Sequence, residues 1–310
     1  MNVKNQGPAS VLGLMSSKKA CDWCSTPRAE DVALKQCMGC TVTRYCSKEC
    51  QTAAWPSHKY ICASRSAIKV PPIYSMLGHA TLAELAQAAE DWSKVHKLTL
   101  FMLSTVLVEI GGGVDVALNE PRAIIFDLEP PIACASDGTP STTFTLKSMG
   151  FIHRDSLDRP TAAHSAPWAI AYRASLGKLL RTASPYPDIV GLISVVFFFR
   201  DSMLAPQITL PLYRPRGVAD ERTKTVLKKM IETCKVGINT GTVFRIPTDA
   251  GQTVPDIGKL VQQGKDWTWT PHASLATIPM MEVWGPSEDN AFATYHRLWP
   301  YSSLLDNASR

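Results

Sequence analysis

The sequence has no apolar run long enough to cross a bilayer. Its longest strongly apolar stretch, Leu98 to Val108, is eleven residues between Lys97 and Glu109, whereas a membrane-spanning helix needs about 20. Residues 1–17 hold neither the apolar core nor the cleavage site of a secretory leader and read as a flexible tail. The chain is therefore expected to be intracellular, in nucleus or cytoplasm, and not secreted, with no membrane partner. Signatures of familiar chemistry are missing too: there is no nucleophile elbow, Walker loop or metalloprotease helix, and no internal repeat. Hydrophobic residues at 45% and charged residues at 19% exclude a disordered or acidic-tail protein.

Cysteine is present, and unevenly placed. Seven of the nine cysteines fall in residues 18–69. With one histidine they form the series Cys21, Cys24, Cys37, Cys40, Cys46, Cys50, His58 and Cys62, spaced C-x2-C-x12-C-x2-C-x5-C-x3-C-x7-H-x3-C. Each of the four pairs has the spacing that lets two side chains reach one metal ion. The first two pairs suit tight turns. Cys46/Cys50 and His58/Cys62 are each i, i+4, on one face of a helix. Eight donors close two tetrahedral sites with no position left for substrate, which makes the sites structural. A disulfide framework would need an oxidising compartment, and a mixed Cys/His set favours zinc over iron–sulfur. The expected cofactor is two Zn2+.

Zinc also changes the charge reading. The formal charge of the chain is +5, and residues 18–69 supply nine Lys/Arg against four Asp/Glu. Seven metal-bound thiolates and two dications lower this segment from +5 to about +2. No nucleic-acid partner is expected from so small a surplus. Between Cys21 and Cys62 the large apolar residues are few, so the segment needs its metal to offset chain entropy.

These residues resemble the MYND-type zinc fingers over about residues 21–62. The resemblance rests on Arg44-Tyr45-Cys46, Cys50-Gln51, Trp55, and His58-Lys59 leading to Cys62. The HIT finger has a similar donor series without the Gln-x3-Trp-x2-His-Lys run. The MYND resemblance implies an interleaved arrangement, with Cys21, Cys24, Cys46 and Cys50 on the first zinc and Cys37, Cys40, His58 and Cys62 on the second; spacing alone also allows a sequential one. It further implies a protein-interaction module, in settings that include transcriptional regulation. In such fingers Gln51 and Trp55 would line a groove for proline-containing peptides of partner proteins, with Met38 where some members have a small polar residue. Ser47 is expected to cap a short helix through Ala54, and Pro56 to begin a second turn. Gln51 and Trp55 would then share a face away from the sulfurs.

The expected organisation is a tail at 1–17, a finger at 18–64, a linker at 65–75 and a mixed α/β (α+β) body at 76–310. In the body, Thr81-x-x-Glu84 is a capping box ahead of a helix through Trp92, and Ser93 to Glu109 reads as a second, buried helix. Ile124 to Leu128, Ile189 to Phe199 and Ile208 to Leu212 read as strands. Trp168 to Leu180 and Glu221 to Cys234 read as amphipathic helices, and Cys134 and Cys234 as buried thiols. The body loosely resembles uncharacterised fungal MYND-finger proteins through Trp92, His96 and the run Arg122 to Pro130. An enzymatic alternative is an S-adenosylmethionine-dependent methyltransferase whose finger recruits substrate. The Asn-His dipeptide of SET domains is absent. Val106 to Gly113 with Asp127 superficially matches a strand and glycine turn, but seven residues leave no room for a crossover helix. Trp267-Thr268-Trp269 reads as core in preference to a contact surface. Val70-Pro71-Pro72-Ile73 and Glu129-Pro130-Pro131-Ile132 are stiff linkers or, alternatively, segments that occupy the finger's own groove.

Overall fold

The computed structural model describes residues 21–24, 26, 33–40, 43–67, 70–120, 122–131, 138–153, 189–199, 207–247, 252–271 and 290–300. The tail, the helix expected at Trp168 to Leu180, and Cys134 lie outside them. The chain is a small cysteine-rich unit followed by a mixed α/β body. The finger contains the two-stranded antiparallel pair β1 (Lys35–Gln36) and β2 (Arg44–Tyr45), then helix α1 (Lys48–Ala67). Ser47 caps α1 as expected, its hydroxyl accepting from the Cys50 N–H at 3.2 Å. Pro56 does not start a new helix, because α1 runs through it without a break to Ala67. A proline inside a helix removes one backbone bond and costs about 3 kcal/mol. Here the side chains of Cys50 before it and His58 and Cys62 after it reach into donor clusters.

Helix α2 (Pro72–Met76) follows, with Pro71 at its N-cap and Pro72 at the first position, where a missing N–H is harmless. Tyr74 is fully buried against the rings of Phe144 and Phe199. Val70 packs on the same core, and Pro131 is buried at the end of the other Pro-Pro stretch. Both segments are thus tied into the body, which argues against either as the finger's own ligand.

Helix α3 (Leu82–Val95) begins with the expected capping box: Thr81 accepts from the Glu84 N–H, and Glu84 from the Thr81 N–H. The next helix does not start at Ser93. The chain breaks at His96, and α4 (Lys97–Ile110) follows. The His96 ring turns inward and its Nε2 donates to the Ser141 carbonyl at 2.9 Å, a partner 45 residues away. Helix α4 is buried nearly all round, including Leu100, Met102, Leu103 and Val106. Gly112, at φ 113, turns the chain into α5 (Gly113–Asn119). No single described helix is long and apolar enough to cross a membrane.

The main sheet has the order β4-β3-β5-β6, formed by β3 (Arg122–Glu129), β4 (Thr145–His153), β5 (Ile189–Phe199) and β6 (Gln207–Tyr213). Strand β5 lies parallel to β3, and the other two pairs are antiparallel. Its interior position explains the unbroken apolar run. Register places Phe126 between Met149 and Phe197. One face of the sheet, carrying Ile124, Phe126, Leu128, Val195, Phe197, Phe199 and Leu210, enters one core with α3, α4, α6 (Glu221–Asn239) and α7 (Ala291–Leu298). Cys234 of α6 is fully buried in that core. The carboxamide of Asn239 accepts from the Leu146 N–H and donates to its carbonyl, satisfying the free edge of β4 where the ladder bulges. A second sheet, β7-β8-β9 (Val243–Arg245, Asp256–Gln263, Asp266–Pro271), packs Val243, Leu260 and Trp267 together. Trp267 is buried there, and Trp269 is half-buried with the Arg245 guanidinium over its ring at 4.7 Å.

Candidate metal centre

Two turns and one helix bring the eight donors together. In the first turn the Cys21 N–H donates to the Thr26 carbonyl at 2.9 Å, and in the second the Cys37 N–H donates to the Thr43 carbonyl at 2.8 Å. Cys46 stands just after β2, before the helix expected to carry it together with Cys50, and helix α1 supplies Cys50, His58 and Cys62, with positions 50, 54, 58 and 62 along one side of it. The result is interleaved. Cys21, Cys24, Cys46 and Cys50 form one cluster; Cys37, Cys40, His58 and Cys62 form the other. Spacing left that choice open, and the structure gathers the donors as the family resemblance implied.

The donor separations can be checked against a tetrahedral ion. Zinc bonds of about 2.3 Å to sulfur and about 2.0 Å to nitrogen set edges of about 3.8 Å between sulfurs and about 3.5 Å between sulfur and nitrogen. In the first cluster Cys24 and Cys50 each lie 3.5 Å from the Cys46 sulfur. In the second, Cys37 and Cys62 are 3.6 Å apart, and the His58 Nε2 is 3.3 Å from Cys37 and 3.7 Å from Cys40. Donor type, number and spacing fit a zinc ion in each cluster. With all four positions taken, such an ion would fix the chain and offer no site for a reactant.

The electrostatics show what an ion would have to change. Crowded thiols resist ionisation: hydrogen bonds with Cys50 and Cys24 push Cys46 up to about 12, and burial does the same to Cys62. Cys24 differs, because the Thr26 hydroxyl at 3.0 Å lowers it to about 6. A dication reverses the preference of such a group by binding thiolates, so loading releases protons.

Around the donors sit Asp22 and Gly39, which the sequence pattern did not single out, and Tyr45, which it did. Asp22 ties the first turn to β2: its N–H donates to the Arg44 carbonyl at 2.9 Å, and its carboxylate accepts from the Arg44 N–H at 2.6 Å. Gly39 leaves room for a donor, since a Cβ there would lie 2.6 Å from the Cys62 sulfur. Only the Gly in Cys37-x-Gly-Cys40 was a visible cue. Tyr45 is buried, its ring edge-on to His58 at 5.9 Å.

The residues expected to line a peptide groove are placed less uniformly. Met38 is 93% exposed and Trp55 46% exposed, while Gln51 is half-buried. Trp55 does not face away from the donors, because its ring lies 5.9 Å from that of His58. Three residues apart on a helix, the two are neighbours. Met38 and Trp55 thus border the same Cys3His cluster.

This architecture is that of a structural zinc-binding interaction module. Residues 21–62 match the family model "MYND finger" and form such a finger. Among curated proteins the chain is similar to "SET domain and MYND-type zinc finger protein 6" of Schizosaccharomyces pombe, 46% identical over 46 residues. That match covers 15% of this chain and 10% of the relative, and it leaves most of the body unmatched. No solved structure matches the chain.

Proposed function

We propose that the finger docks proline-containing peptide segments of partner proteins on the surface that carries Gln51, Trp55 and Met38. The observation that supports this reading is the exposure of Trp55 and Met38 on a metal-fixed frame, while Tyr45, the neighbouring aromatic, is buried. A half-exposed tryptophan on a rigid base offers area at little ordering cost. The exposed Lys48 and Lys59 lie along α1 on either side of Trp55, which favours peptides with acidic flanks. We take 18–64 as the docking unit and 76–310 as the body, with 65–75 between them, and place the protein in the reducing interior of the cell, where thiolate-held zinc persists.

The test is a titration of the zinc-loaded protein with a labelled proline-containing peptide bearing acidic flanks. Trp55→Ala is expected to weaken binding about thirtyfold, the weight of a tryptophan hot spot, with zinc content unchanged. Equal affinity of variant and parent would overturn the reading.

The methyltransferase alternative draws on the relative's SET domain. The glycine turn lends it nothing, because Val106–Ile110 is the end of α4, so a helix and not a strand leads into Gly111. Micromolar binding of S-adenosylmethionine would bring that alternative forward.

A further inference from the structure

The two donor clusters differ in what covers them. Cys37, Cys40, His58 and Cys62 are all buried, between 2% and 6% exposed. In the other cluster Cys21 is buried, Cys46 and Cys50 are half-buried, and Cys24 is exposed. The described residues beside Cys24 are open as well: Asp22, Trp23 and Thr26 are exposed. The inner cluster has the Gly39 backbone against Cys62 and the rings of Tyr45 and Trp55 on His58. A small solvent-borne electrophile therefore meets the Cys24 sulfur directly, and meets the inner sulfurs only after the finger opens.

We propose that the outer four-cysteine cluster is a thiol-modification site, oxidised by hydroperoxides while the inner Cys3His cluster stays closed. The Cys24 thiolate attacks one peroxide oxygen and takes it as sulfenic acid while the O–O bond breaks; with one proton, the other oxygen leaves as water, or as an alcohol from an organic hydroperoxide. The Cys46 thiolate, 3.5 Å away, then attacks the sulfenic sulfur, and hydroxide leaves and is protonated. Two thiolates lose two electrons and become one disulfide; the hydroperoxide is reduced. Two donors of the outer set are consumed, and that set no longer closes around a cation. The inner set, which carries Met38 and Trp55 at its border, keeps its four donors. This assignment holds whether or not the finger docks peptides.

The experiment treats the full-length, two-zinc protein with hydrogen peroxide beside a chromophoric zinc indicator, and maps disulfides by mass spectrometry. One equivalent of zinc is expected at least about tenfold faster than the second, as exposure governs thiolate oxidation, and the first disulfide should contain Cys24. Simultaneous release of both ions, or first oxidation at Cys37, Cys40 or Cys62, overturns the proposal. Cys24→His keeps four donors and removes the exposed sulfur; it should slow the first phase about tenfold or more, and an unchanged first phase overturns the proposal as well. Where that variant fails to retain two zinc ions, disulfide order in the parent protein decides.

Discussion

In the finger, the buried apolar and thiol cluster is Cys21, Cys37, Cys40, Tyr45, Ala54 and Cys62, so four of its six members are metal donors. In the body, the largest fully buried side chains are Trp92, Tyr74, Tyr295, Phe126, Phe144, Phe197, Phe199 and Phe292. One region is built to be held by bonds to ions and the other is held by area removed from water. The two should accordingly fail under different insults, and each failure should leave the other region standing.

Metal removal is the largest effect expected. A structural zinc ion contributes on the order of 10–16 kcal/mol at neutral pH in finger-sized segments, more than Tyr45 and Ala54 can replace. Strong chelation should abolish hydrogen-exchange protection in α1 and expose residues 21–62 to proteolysis. Protection of β3 and β5 should be unchanged. Loss of protection in both regions together would show that the body depends on the finger, and the comparison would break.

The reciprocal change is Phe199→Ala. Phe199 is fully buried, with Phe144 at 4.9 Å and Tyr74 at 6.1 Å between ring centroids. Its truncation should cost about 3–5 kcal/mol through lost transfer energy and a residual cavity. Urea denaturation of the body should register that cost, and elemental analysis should still find two zinc ions per chain.

Acid sharpens the contrast. His96 is fully buried, its Nδ1 has no hydrogen-bond partner, and burial lowers its pKa to about 4 from an ordinary 6.5. Above pH 6.5 both folded and unfolded states are neutral at this residue. Between about 6.5 and 4 the unfolded chain takes up a proton that the folded chain refuses. Body stability should therefore decline over that window by about 3 kcal/mol. Hydrogen exchange of β3 and β5, corrected for intrinsic rates, reads this separately from zinc loss. His96→Gln should flatten the decline, and an equal decline in that variant would assign the acid sensitivity elsewhere.

Sequence reading served the two regions unequally, for a physical reason. The zinc donors come as pairs within four residues, so local spacing reveals them. Which pairs share an ion depends on how the chain crosses itself, and that becomes visible only when the Cys24 and Cys46 sulfurs stand 3.5 Å apart. In the body, Thr81 and Glu84 cap α3 through contacts three residues long, and the apolar run of β5 reports its place inside a sheet. The break at His96 was hidden because its cause, the Ser141 carbonyl, is 45 residues distant. Passage of α1 through Pro56 was hidden likewise: proline favours a helix start locally, and only the donors on both sides hold the helix together. The parallel pairing of β3 with β5 has no local signature.

The smallest predicted effect tests how stiff the metal frame is. Gly39 needs no special backbone angle; what it supplies is space, since a Cβ would stand 2.6 Å from the Cys62 sulfur and 3.8 Å from that of Cys37. In an ordinary core a neighbour at such a distance could rotate away. Here both neighbours are donors whose sulfurs are 3.6 Å apart, and either shift opens the tetrahedron. Gly39→Ala should therefore weaken the inner ion by about 1–3 kcal/mol, the usual cost of overpacking, or roughly 5- to 150-fold in affinity. Competition against a chelator of known affinity would show one zinc ion of the two weakened, with urea denaturation of the body unmoved. Unchanged affinity for both would mean that the inner donors yield as readily as side chains in oil, and the distinction between a bonded finger and a packed body would lose its sharpest edge.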